Sequence, residues 1–226
     1  MMSAATLALV REWMPELLVA ALQTLRMTAL AYGLAVTAGL ALALGEMSPR
    51  RWLARACRIY IEFIRGTPTL IQLFLIYFGL PAVGIVLPGF AAAVVALGLH
   101  YAAYLSETYR AGIAAVDRGQ GEAAAAIGMT RGEAMRHIVL PQAVRVVLPP
   151  MGNSLVSLLK DTSVASLIAA PELMMRADDL TSEYYMPMQV YLLAGIMYFV
   201  MAFPLSMGVR WLERRMRRGP IRTRRA

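Results

Sequence analysis

Three stretches of the chain, Met27 to Gly45, Leu80 to Ser106 and Val190 to Val209, contain no aspartate, glutamate, lysine or arginine. Each is long enough to cross a hydrocarbon core of about 30 Å at about 1.5 Å rise per residue. A buried helix in a soluble domain rarely needs so long an uncharged run. The blocks therefore predict an all-α membrane protein. Five transmembrane helices are expected, at about 17–45, 57–79, 88–112, 142–168 and 188–211. The second and fourth are less uniform and carry charged residues. Together they make a single transmembrane domain over about 17–212, with a basic tail at 213–226.

The formal net charge is +8, nearly all of it arginine. Nucleic acid is the usual partner for such a balance, but here the charges fall between and after the apolar blocks. Arg50, Arg51, Arg55 and Arg58 stand in the first connection, and Arg110, Arg118, Arg131 and Arg136 in the third. The second, around Leu80 to Pro88, has none, and the fourth sets Glu172, Asp178, Asp179 and Glu183 against Arg176. Arginine-rich connections alternate with arginine-poor ones, which the positive-inside rule reads as N-terminus outside and C-terminus inside. Trp13, Trp52 and Trp211 are expected at the membrane interfaces. The tail, with Arg217, Arg218, Arg222, Arg224 and Arg225 among its residues, is expected to meet anionic lipid. Cys57 is the one cysteine, so no disulfide forms within the chain. No cleavable leader is expected, because Arg11, Glu12 and Glu16 interrupt the first residues.

Catalytic motifs are missing. A P-loop needs Gly-Lys-Ser/Thr after a strand, and the single lysine, Lys160, follows Leu159. His100 and His137 lie on different segments, which gives no basis for a metal site. No enzyme activity and no cofactor are expected in this chain.

The third connection, 113–141, is too long for a simple link. Asp117 and Gln120 are spaced as a capping box, and Glu122 to Ile127 are mostly strong helix formers. Gly128 can end that helix in the left-handed conformation. Thr130 and Glu133 make a second capping box, and Pro141 suits the first turn of the next span. The segment resembles the EAA loop of ABC importer permeases. Glu122, Ala123, Ala124, Gly128, Ile138, Leu140 and Pro141 keep that family's spacing throughout. The resemblance implies a coupling helix docked in a groove of a separate ATPase subunit, which would bind the ATP and magnesium.

Tyr60 to Pro81, Tyr104 to Ile113 and Asn153 to Ser163 resemble permeases for polar amino acids of the histidine, glutamine and arginine type. Ala111 departs from that pattern, where a second glycine is expected. The resemblance covers about residues 20–212. It implies a type I importer fold in the bacterial cytoplasmic membrane, with a second permease subunit, ATPase subunits, an external solute-binding protein and an amino-acid substrate.

The residues themselves point to a pathway in the same places. Gly66, Thr67 and Pro68 lie where the second span is interrupted, and broken helix at membrane depth is tolerated where it lines a cavity or is buried in protein. Glu62, Arg65, Glu107, Lys160 and Asp161 are ionisable groups at that depth, which are costly and therefore functional candidates. Glu62 and Arg65 can pair on one helix face. Lys160 and Asp161, about 100° apart on a helix, need separate partners. These charges serve either as interhelical ion pairs or as solute contacts. Asn153, with Gln72 and Ser157, suits helix–helix hydrogen bonding or the pathway, and His100 suits a satisfied place in the bundle. A permease for an opine or a compatible solute fits the same loop. A channel or proton-coupled carrier leaves the EAA spacing unexplained, and a scaffold has no need of buried charges.

Overall fold

The computed structural model describes residues 4–216, and every regular element among them is helical. In chain order these are α1 (Ala4–Glu46), α2 (Arg51–Arg65), α3 (Thr69–Phe74), α4 (Gly89–Ala114), α5 (Arg118–Ala126), α6 (Arg131–Ala134), α7 (Leu140–Asp161), α8 (Leu173–Tyr184) and α9 (Pro187–Met216). From residue 217 onward the expected basic tail lies outside the described residues.

α1 and α4 form the centre. Met27, Ala31 and Ala35 of α1 pack with Ala92, Ala93, Ala96, Leu97 and Leu105 of α4, all buried. Small side chains let the two backbones approach closely, as helix pairs in a membrane require. A Cβ on Gly39 would lie 2.9 Å from the Ala102 carbonyl oxygen. α7 joins this core, and there Gly112 has no room for a side chain because of Val147. The neighbouring Ala111, where the family pattern is broken, is exposed.

A second cluster holds the other end. Trp13 and Leu17 of α1 pack with Leu173, Ala177 and Leu180 of α8 and Val190 and Ala194 of α9. This packing leaves Trp13 only 1% exposed, edge-on to Tyr184 at 5.2 Å. It also explains why α1 begins well before residue 17: the early turns are held by packing, with Pro15 inside the helix. Glu172 caps α8, accepting from the N–H groups of Met174 (2.8 Å) and Met175 (2.7 Å) and from the Tyr198 hydroxyl (2.6 Å). Burial pushes its carboxyl above the usual range against those three bonds.

The second span is not one helix. The chain turns by 111° between α2 and α3 at Gly66–Pro68. Pro68 supplies no N–H, so carbonyls at the end of α2 lose their helical donors. The Gln72 amide takes over. Its Nε2 donates to the carbonyls of Ile64 (2.8 Å) and Thr67 (3.1 Å) and to the Thr67 hydroxyl (2.8 Å). Gln72→Leu removes the short donor from both carbonyls, leaving Ile64 only the long contacts from Thr67 at 3.5 Å. It is expected to lower stability by about 1–3 kcal/mol, read as a reduced Tm of the detergent-purified protein. An unchanged Tm would show that the amide does not hold the break.

Length and apolar composition account for part of the five expected spans. Three helices, Val10–Glu46 within α1, α4 and α9, are long and apolar enough to cross a membrane, and the bent α2–α3 pair makes a fourth if it crosses as one. α7 is a helix but lacks that composition, because Arg145, Pro149, Pro150, Asn153, Lys160 and Asp161 interrupt it. It begins at Leu140, with Pro141 in its first turn as expected. α6, a π-helical turn over Met135–Val139 and α7 run on continuously. A proline inside a helix removes a donor and crowds the preceding turn, and the widened turn just before Pro141 relieves both.

Candidate functional site

α4 and α7 face each other across a cavity of about 430 Å³. α4 contributes His100, Tyr101 and Tyr104, with Tyr104 a helical turn beyond the other two. α7 contributes Asn153, Ser154, Ser157, Lys160 and Asp161 by the same periodicity.

The two charges are treated differently. Asp161 accepts a hydrogen bond from the Tyr101 hydroxyl at 2.7 Å. Lys160 has no ion-pair partner among the described residues and is exposed to the cavity. His100 is fully engaged. The Gln72 amide nitrogen is committed to carbonyls, so its Oε1 accepts from His100 Nδ1 at 3.0 Å. His100 Nε2 then accepts from the Thr69 hydroxyl at 3.2 Å. A neutral imidazole satisfies that network.

Of the residues singled out in sequence, the structure brings Asn153, Lys160 and Asp161 together. Arg65 stands at the edge, its guanidinium carbon 5.8 Å from the Tyr104 ring centroid. It does not pair with Glu62, which is exposed and has no ion-pair partner among the described residues. Cation–π contact with Tyr104 replaces the expected i,i+3 pair. Gly66, Thr67 and Pro68 form the break, where the Thr67 hydroxyl donates to the Phe63 carbonyl at 2.9 Å. Glu107 lies elsewhere. It accepts from Arg110 at 2.7 Å, Arg110 stands 3.7 Å from Glu46, and Glu46 pairs with Arg58 at 3.2 Å. That network ties the C-terminal ends of α1 and α4 to the middle of α2. The cavity lining adds Tyr101, Tyr104 and Ser154 to the site residues expected from sequence, and it includes His100, for which a place in the bundle is expected. A polar stripe at helical spacing on each of two apolar segments was the available signal.

The connection at 113–141 forms a helical hairpin. The Asp117 carboxylate accepts from the Gly119 N–H at 2.7 Å, but the reciprocal contact from Gln120 is not formed. Gln120 instead accepts from Gln142 at 3.4 Å. α5 ends as expected, with Gly128 at φ +83°. Met129 N–H reaches the Ala124 carbonyl (3.0 Å) and Gly128 N–H the Ala125 carbonyl (3.0 Å), a Schellman closure. The Thr130–Glu133 capping box is complete. The backbone N–H and hydroxyl of Thr130 hold the Glu133 carboxyl below its usual range. Ala124 is buried in the hairpin, whereas Glu122 and Ala123 are exposed and Ile127 is 76% exposed at its tip. Ile138 is half-buried in the π turn, and Leu140 and Pro141 are exposed at the start of α7. The hairpin thus presents an outward face with small and apolar side chains.

Comparison with known proteins follows the same lines. The family described as binding-protein-dependent transport system inner membrane component matches residues 35–218. A probable glutamine ABC transporter permease protein, GlnM of Bacillus subtilis (strain 168), is 44% identical over 74% of this chain and 76% of its own. The L-cystine transport system permease protein TcyB of the same organism is 39% identical over 86% of this chain and 84% of its own. Among solved structures, an amino acid ABC transporter crystallised with histidines has a chain 40% identical, with TM-score 0.88 over 92% of this chain and 97% of that one. The MetNI methionine transporter in an inward-facing conformation shares the fold, with TM-score 0.71 at 22% identity, covering 89% of this chain and 98% of that one.

Proposed function

Since the chain belongs to the inner membrane components of binding-protein-dependent transport systems, the non-catalytic multi-pass permease subunits of ABC importers, we propose that it carries an amino acid through the cavity between α4 and α7. The observation that carries this reading is Lys160, a cation without an ion-pair partner among the described residues, beside Asp161 in one cavity. A zwitterion presents one carboxylate and one ammonium, and this lining offers one group of each opposite sign.

In this reading an external solute-binding protein delivers the amino acid and a second permease subunit, identical or homologous, completes the pathway. The outward face of α5, with Glu122 and Ala123, sits in a groove of the ATPase subunit. Gly128 sets its end, and Ile138, Leu140 and Pro141 carry the hairpin into α7. Lys160 is twenty positions along α7 from Leu140, about 30 Å at helical rise. The cavity and the coupling face therefore sit at opposite ends of one continuous helix, which supports mechanical communication between them. Glu62, Arg65, Glu107 and the break at Gly66–Pro68 contribute to gating. The bent α2–α3 pair and α7 both cross the bacterial cytoplasmic membrane with α1, α4 and α9. That gives five crossings, with the N-terminus outside, the C-terminus inside and the basic tail at 213–226 against lipid headgroups.

Cysteine accessibility tests the orientation. In a Cys57→Ser background, a cysteine introduced by Arg131→Cys is expected to react with an impermeant reagent in inside-out vesicles and not in right-side-out vesicles. Labelling only from the outer side would reject it.

A further inference from the structure

The relatives' names include both glutamine and cystine, so family membership leaves the side-chain preference open. The cavity lining is informative here. We propose that the cavity takes amino acids whose side chain ends in an uncharged polar group, an amide foremost, and excludes those with a charged side chain. This rests on the reading above that Lys160 and Asp161 hold the zwitterion.

The lining has two permanent charges, Lys160 and Asp161, and the substrate's own carboxylate and ammonium use both. What remains is neutral. Both His100 ring nitrogens are committed, to Gln72 and Thr69. Ser154 donates to the Pro150 carbonyl at 3.2 Å. The Asn153 amide and the Tyr104 hydroxyl are left to meet a side chain, and both can donate and accept. A terminal amide matches them.

A cationic side chain finds no second carboxylate in this lining, and Arg65, over the Tyr104 ring, has the same sign. An anionic side chain shares the cavity with Asp161, while Lys160, the one cation of the lining, is taken by the α-carboxylate. Either charge is left without a counter-charge in the lining when carriage across the membrane separates it from bulk water. Such an uncompensated ion weakens binding by on the order of 100-fold or more.

The test is direct binding of radiolabelled glutamine, arginine and glutamate to the purified permease–ATPase complex without the external binding protein, whose own selectivity then plays no part. Glutamine is expected to bind at least about 100-fold more tightly than arginine or glutamate. Asn153→Asp is expected to raise arginine binding at the expense of glutamine. Arginine or glutamate binding as tightly as glutamine, and lost in Lys160→Ala, would overturn the selectivity while leaving the zwitterion site standing. If no amino acid binds in a Lys160-dependent way, the zwitterion site itself is overturned.

Discussion

Lys160→Ala is expected to abolish ATP-driven uptake while the variant still inserts and still co-purifies with its ATPase. Lys160 is exposed to the cavity and holds no ion pair among the described residues, so its removal breaks no contact that the fold depends on. The loss falls on the substrate. Its carboxylate would be carried across the membrane beside Asp161 with no counter-charge. Leaving one member of a buried pair unmatched costs about 3–5 kcal/mol, or roughly a 150- to 5,000-fold loss of affinity. Lys160→Arg keeps the charge but brings a planar, bulkier head, and partial uptake is expected. Binding and uptake by purified complexes in proteoliposomes check both. Normal uptake by Lys160→Ala would remove the cavity from the pathway. Loss of expression instead would favour a structural role for the charge.

Substitution at Gly128 is expected to act on coupling and to spare the spans. Its φ of +83° is a conformation that other L-residues adopt at a cost of about 1–2 kcal/mol. No atom lies within 4 Å of an added Cβ, so the effect within the chain comes from the backbone and not from crowding. The expected order of damage is Gly128→Asn, then Ala, then Val, following tolerance of the left-handed region. Loss of the Schellman closure shifts the end of α5 and with it Glu122 and Ala123. Recruitment of the ATPase is expected to fall about tenfold for Gly128→Val, or hydrolysis to continue without transport. Co-purification together with ATP-driven uptake distinguishes these results from normal function. Full assembly and a normal rate in Gly128→Val would show that the hairpin does not act in coupling.

Local chemistry in this chain was legible where a residue has few conformational options. Pro68 after Gly66 marked the break, Gly128 marked the left-handed helix end, and Thr130 with Glu133 marked a closed capping box. The α1–α4 contact was foreshadowed only as apolar blocks, because small residues such as Ala31, Ala35, Ala92 and Ala96 signal packing only once their partners are known. Pairings that depend on distant elements were not legible. Arg65 was within reach of Glu62 along its own helix, yet Tyr104 from α4 offered a ring to it. Gln120 had the spacing for a capping box, but α7 brought Gln142 beside it. His100 looked like an ordinary bundle residue. Its place in the cavity wall follows from Gln72 and Thr69, which the break in the second span brings against α4. Composition accounts for only part of the span count for a related reason. α7 carries the cavity's polar residues, so the helix most concerned with the site is also the one whose composition least resembles a membrane span.

The most direct test of the central claim is uptake of radiolabelled glutamine into proteoliposomes holding the permease, its ATPase and the external binding protein. Each component, ATP and an imposed proton gradient are withheld or supplied in turn. Uptake is expected only when ATP and all three proteins are present, to be indifferent to the gradient, and to be lost in Lys160→Ala. Uptake driven by the gradient without ATP, or unaffected by Lys160→Ala, would contradict an ATP-coupled permease with its pathway between α4 and α7.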